Sequence, residues 1–283
     1  MHNKQELRIK KAHIALMKHP ETALYSGVLL MGVSEVVEKA SFTAYTDGIN
    51  KRYAKPFLET VDSEPKLRGL VLHENLHVAL KQIPRGKDMF KESAQLANMS
   101  ADFVVNDIIA NIKGNVVGGN ELIVQLPDGA LYDPMFHNWS MREIYNYLKK
   151  NCKGKGKGKG QGQGQGQGQG NDPSGGGTEP NDGDGEGNHV EVNGKKYDLS
   201  NQDEHDTSGD LTPDQAKDLG DKIDRALREG GMLAGRMGAK VPRTISDLLT
   251  PKIDWREALR EFVSSSMKGK DEYTWRKLNK RQL

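Results

Sequence analysis

Two rhythms of apolar and polar residues divide this chain into elements. From Leu7 to Lys18 apolar residues recur every three or four positions, which predicts an amphipathic helix. Ala23 to Val33 is an almost unbroken apolar run and reads as a strand. Ser41 to Thr46 alternates with a period of two, Asp47-Gly48 supplies turn chemistry, and Ile49 to Tyr53 reads as the returning strand. In Lys66 to Gln82 the rhythm is helical again: Leu72, Leu76, Ala79 and Ile83 mark a core face, no Pro interrupts, and Gly69 is the only Gly. A loop with Pro84, Arg85 and Gly86 precedes a second long helix over Lys91 to Ile112. Ser140 with Glu143 forms a capping box for a helix through Lys149.

Downstream, residues 153–160 repeat Lys-Gly, residues 161–170 repeat Gln-Gly, and 171–188 are rich in Gly, Asp and Pro. Such a stretch has too little apolar surface to offset its ordering entropy, so it reads as a flexible tether. After it, Asp214 to Glu229 is helical and Gly230-Gly231 is expected to end that helix. Gly235 to Gly238 reads as a loop and Thr244 to Leu249 as a short helix. Trp255 to Ser266 is amphipathic, with Trp255, Leu259, Phe262 and Val263 on its apolar face. The pattern gives an α+β fold: a small mixed sheet packed on long helices, with additional C-terminal helices. The boundaries are a core over 1–151, a tether over 152–190, and a helical segment over 191–283 that packs back on the core.

The chemistry sits on the helix over Lys66 to Gln82, where His73-Glu74-Asn75-Leu76-His77 has the form His-Glu-x-x-His. Residues four apart on a helix share a face, so His73 and His77 can hold one metal ion. Glu74, about 100° around the axis from His73, can reach water bound there and act as general base. In this reading the three stand on a side of the helix away from the Leu72–Leu76 core face. A catalytic zinc site needs a third protein ligand. On the next helix Asn98, Asp102 and Asn106 form one stripe at i, i+4 and i+8 among apolar neighbours. A carboxylate buried there has to be paired or bound to metal, so Asp102 is the candidate third ligand; its other role would be to orient a ligand histidine. Asp107 points elsewhere and reads as a solvated or capping residue. His137 reads as an oxyanion donor or a loop-packing residue, Arg85 as a substrate-carboxylate contact or a loop pin, and His205 as a metal-like but solvated residue. Trp139, Trp255 and Trp275 read as core anchors.

Composition narrows the class. The chain has 283 residues and a formal charge of +2, which gives no polyelectrolyte character and no support for nucleic-acid binding. No apolar stretch reaches membrane-spanning length, and Ser26 to Val33 is the longest candidate. The N-terminal residues lack the basic-then-apolar order of a signal peptide. The single cysteine, Cys152, excludes an internal disulfide framework and fits a reducing compartment, which points to the cytoplasm.

Several segments together resemble a zincin-like metallopeptidase family of bacteria and phages. They are Thr46-Asp47-Gly48, Leu72 to His77, Ala97-Asn98 through Asp102 to Asp107, Trp139-Ser140, Pro251 to Arg256, and Thr274 to Arg281. The resemblance implies His73 and His77 as zinc ligands and Glu74 as base, and a name that rests largely on the motif. On its alignment Asn98 stands at the usual ligand position and Asp102 at that of the orienting acid. Gln82 stands where many relatives have His. The von Willebrand A-like domain that usually follows is absent from this chain, with no Asp-x-Ser-x-Ser motif.

The expectation is a zinc-dependent endopeptidase acting on a peptide or protein substrate. A metal-activated water attacks the peptide bond, and substrate lies along the edge strand near Ser41 to Thr46. The alternative is a catalytically silent, zinc-stabilised interaction module whose tether lets a protein partner dock.

Overall fold

The computed structural model describes residues 4–40, 42–112, 116–117, 121–151, 189–192, 194–198, 212–250, 256, 259–260 and 262–264. Helix α1 (Lys4–Lys18) buries Ile9, Ala12 and Leu16 along one face, as its spacing predicts. The apolar run that follows is not a strand. Ala23–Tyr25 form a 3₁₀ turn and Ser26–Leu29 the short helix α2. Ala23, Leu24, Tyr25, Val28 and Leu29 are all buried, and a run covered on every side fits a helix as well as a strand.

The sheet begins later, with a strand the pattern did not reveal, β1 (Ser34–Val37). Strands β2 (Ala44–Thr46) and β3 (Lys51–Ala54) follow. The Asp47 carboxylate accepts the N–H groups of Ile49 at 2.9 Å and Asn50 at 2.7 Å, while Gly48 takes a φ of +98°. That is the turn expected of Asp-Gly. The strand order is β1-β3-β2, with β1 parallel and β2 antiparallel to the central β3.

Helix α3 (Lys55–Thr60) leads into α4 (Glu64–Ala79), the centre of the molecule. Every residue from Gly69 to Leu80 is buried, so α4 is not the one-faced helix that its leucines suggest. Gly69 permits part of this cover. A Cβ there would stand 2.0 Å from the carbonyl oxygen of Gln125, whose N–H donates to the Pro65 carbonyl at 3.0 Å. Beyond α4, Lys81 takes the left-handed conformation (φ 55°) and turns the chain into α5 (Gln82–Arg85), so Ile83 is buried but lies off α4. Helices α6 (Lys87–Glu92) and α7 (Ala94–Ala110) replace the single helix expected over Lys91 to Ile112. They are separated by Ser93, which is extended and whose hydroxyl accepts the Leu96 N–H at 3.4 Å. A serine N-cap thus starts α7.

The short strands β4 (Val116–Val117) and β5 (Glu121–Leu122) pair antiparallel. Helix α8 (Met141–Asn151) starts on the expected box, with the Ser140 N–H donating to Glu143 at 2.7 Å and the Glu143 N–H to the Ser140 hydroxyl at 3.3 Å. Strands β6 (His189–Val192) and β7 (Lys195–Asp198) form a hairpin, followed by α9 (Pro213–Arg236) and α10 (Arg243–Leu249). Helix α9 runs through Gly230-Gly231 instead of stopping there. The reason is close packing: a Cβ on Gly230 would stand 1.9 Å from the Leu24 carbonyl, and one on Gly27 would stand 2.7 Å from the Ala226 Cβ. Leu219, Ile223, Leu227 and Ala234 of α9 therefore enter the same core as α1, α2 and α4. Leu259, Phe262 and Val263, expected on a packed face, are exposed. Residues 152–188 of the Gly-rich segment, with Cys152, His205, Trp255 and Trp275, lie outside the described residues.

The architecture is the α+β arrangement expected, with long helices against a small mixed sheet. No described helix is long and apolar enough to cross a membrane.

The glycine contacts generate a paired prediction. Gly230→Ala should lower stability by about 1–3 kcal/mol through overpacking. Gly235→Ala, where nothing lies within 4 Å of the new Cβ, should raise it by up to about 1 kcal/mol. Urea denaturation of both variants reads the difference.

Candidate metal centre

Two helices build the site. On α4, His73 and His77 stand one turn apart with ring centroids 4.5 Å from each other and planes at 77°. Their Nε2 atoms approach to 2.9 Å. Asp102, from α7 packed alongside, brings Oδ1 to 3.5 Å from Nε2 of His73 and 3.4 Å from Nε2 of His77. All three side chains are buried, and their ligand atoms lie within 4.8 Å of one another. Among the described residues this is the group of His, Cys, Asp and Glu side chains that could hold a metal ion.

The far side of each ring is held by an amide. His73 donates from Nδ1 to Oδ1 of Asn106 at 2.9 Å, and the Asn106 amide nitrogen donates to the Leu131 carbonyl at 2.9 Å. His77 donates from Nδ1 to Oε1 of Gln82 at 2.5 Å, and the Gln82 amide nitrogen donates to the Ala101 carbonyl at 3.2 Å. Each backbone carbonyl fixes which end of its amide faces the ring, and an amide oxygen can only accept. Both Nδ1 atoms therefore carry the proton, and both Nε2 lone pairs face the Asp102 carboxylate. Three electron-rich atoms converging on one buried point repel each other unless a cation stands between them. Two nitrogens about 2.05 Å from one tetrahedral zinc are about 3.3 Å apart, close to the separation seen, so the donor set fits such an ion.

Asp102 meets the Nε2 atoms of both rings, whereas Asn106 and Gln82 meet their Nδ1 atoms. Asn98, one turn earlier on α7, is partly exposed.

Glu74 is fully buried, at 0% exposure. Its carboxylate acts on Lys51 of β3, which is also at 0% exposure and donates from Nζ to the carbonyls of Met31 at 2.5 Å and Val28 at 3.3 Å. Burial pushes the Lys51 ammonium down to about 8, against the opposing pull of Asp47 and Glu74. Neither Lys51 nor Gln82 figured among the sequence candidates. The alternation Ile49, Lys51, Tyr53 carried the signal for Lys51, since it sets the lysine on the same sheet face as buried Tyr53. Gln82 stands between buried Leu80 and Ile83, a polar residue at a buried position.

The remaining candidates lie elsewhere. Asp107 is not solvated: it is buried and accepts His137 Nδ1 at 3.1 Å, the Asn111 amide at 2.8 Å and the Asn138 N–H at 3.3 Å. His137 thus ties its loop to the end of α7. Arg85 is exposed on α5. Trp139 packs edge-on against Phe136 and Tyr147, with centroids at 5.5 and 5.8 Å.

A family model described as "putative metallopeptidase domain" matches residues 5–283, and the chain belongs to that family. No curated protein and no solved structure matches it.

Lys51 gives a pH prediction. Its folded pKa lies below the ordinary lysine value, so the folded state resists protonation that the unfolded chain accepts. Lys51 should therefore add stability as pH rises from about 8 toward 10.5, and that contribution is lost again as pH falls through 8. Urea titrations at pH 7.5 and 10 should show this slope in the native chain and a smaller one in Lys51→Met.

Proposed function

With that membership as the premise, we propose that the chain is a zinc-dependent endopeptidase whose metal ligands are His73, His77 and Asp102 and whose general base is Glu74. The observation that carries the reading is the convergence of two Nε2 lone pairs and one carboxylate oxygen at a buried point beside the His-Glu-x-x-His glutamate. A bound zinc supplies Lewis acidity to a water and to the scissile carbonyl.

The chain's own groups do the rest. Glu74 follows His73 on α4 and accepts the proton of the attacking water, then returns it to the leaving amine. Lys51, whose positive charge acts on Glu74, favours the ionised carboxylate that a base requires. Among the described strands β2 pairs with β3 at the edge of the sheet, and it touches α4. A substrate peptide extended along it is held by backbone hydrogen bonds beside the site. The segment that ends where β6 begins at His189 serves as a tether between the core and the helices that return to it.

The full burial of Glu74 favours a second reading, in which the same ion joins α4 to α7 in a catalytically silent module that binds a protein partner. Such a structural site needs no position open to substrate. The location we propose in either reading is the cytoplasm.

Glu74→Gln should retain stoichiometric zinc and abolish cleavage of a peptide library, read by elemental analysis and mass spectrometry. Zinc without cleavage by the native chain would favour the silent module. Asp102→Ala should weaken zinc binding by at least tenfold in a chelator competition, because one of three protein ligands is gone. Unchanged affinity would remove Asp102 from the ligand set.

A further inference from the structure

We propose that Gln82 and Asn106 are positioning residues: a matched pair of neutral amides that lock both metal-site histidines in the Nδ1–H tautomer and aim their Nε2 atoms at the ion. The proposal rests on the reading of His73 and His77 as ligands.

The geometry is the same on both sides although the two amides come from different elements. Each is nearly fully buried, each accepts from one Nδ1, and each is anchored through its own NH₂ on a backbone carbonyl. Asn106 reaches His73 from α7, one turn beyond Asp102. Gln82 reaches His77 because Lys81 reverses the chain in the left-handed conformation, so the first residue of α5 folds back on the last turn of α4. Lys81 is in turn held by Asp224 of α9, with Nζ to Oδ1 at 2.6 Å. Both histidines are thus held from α7 and α5, and neither ring can rotate without breaking a buried hydrogen bond.

The choice of amides follows from charge. Carboxylates are the commoner partners of ligand histidines, and they raise ligand basicity. Here the pocket already holds the Asp102 carboxylate from α7, with Glu74 on the helix of the histidines, and both acids are buried. Two further buried anions would have to be desolvated, whereas an amide oxygen fixes the same tautomer without adding charge. The arrangement also leaves more of the ion's positive charge uncompensated, which suits Lewis-acid chemistry better than tight storage of the metal.

The test uses the full chain with Gln82→Met, Asn106→Leu, Gln82→Glu and Asn106→Asp. Nitrogen-15 NMR of the metal-free proteins at one fixed pH reports the tautomers, chelator competition reports zinc and cobalt affinity, and thermal unfolding reports stability. The native chain should show Nδ1–H at both histidines. Gln82→Met should release the His77 tautomer and Asn106→Leu that of His73, with zinc affinity falling about 10- to 100-fold in each. The acidic variants, which keep an acceptor at the same place, should keep the tautomer and bind zinc at least as tightly as the native chain. A purely structural role for the amides would lower the melting temperature in all four variants and leave the tautomers alone. Folded apolar variants that retain Nδ1–H at both rings overturn the proposal. A native chain that binds neither metal overturns the ligand reading instead, and the tautomer measurement still decides the role of the amides.

Discussion

Everything about this site follows from the burial of α4 on all sides. Between Gly69 and Leu80 the helix has no exposed residue, yet it carries His73, Glu74, Asn75 and His77. A polar group taken out of water costs several kcal/mol unless it is paired. Specific neighbours offset part of that cost. Asn75 donates to the Val71 carbonyl at 2.7 Å, the histidines use Asn106 and Gln82, and the charge of Glu74 acts on Lys51. The Nε2 atoms and Asp102 complete the set by pointing at one another, which is a stable arrangement once a cation stands among them. The helices and strands around α4 are thus partners required by its polar residues as well as by its leucines.

That requirement explains what the sequence made legible. The pair His73 and His77 could be read from their spacing of four, because helix geometry fixes it before any tertiary contact forms. Asp102 could be read because an acid on an apolar helix needs a partner. The capping box at Ser140 and the Asp47-Gly48 turn are equally local. By contrast, Gln82 comes to His77 through a left-handed residue at Lys81, and no short-range pattern announces that reversal. The run Ala23 to Val33 reads as a strand, yet its first seven residues are helical, because a largely buried segment has lost the period that would identify it. Gly230-Gly231 reads as a stop signal, but the same absence of a side chain also lets two backbones touch, and the partner at Leu24 is remote in sequence.

The sheet contributes in two ways. Strand β2, at the edge of the order β1-β3-β2 among the described strands, touches α4, and the central strand carries Lys51 beneath α2. A lysine at that point donates to two carbonyls at the end of a short helix while the charge of Glu74 acts on it. The lowered basicity of Lys51 is the physical mark of its confinement, as burial outweighs the pull of the two acids.

The contact of Gly230 with Leu24 also has a meaning in time. The two positions are about 200 residues apart, and at ribosomal rates of roughly 5–20 residues per second about 10–40 seconds separate their synthesis. Throughout that interval the apolar turn at Ala23–Tyr25 has no lid, and Lys81, which presents Gln82 to His77, has no Asp224 to hold it. The nascent chain carries both histidines early but cannot seal the core around them until α9 has emerged. A core closed in this order stays unfinished while the chain is most exposed.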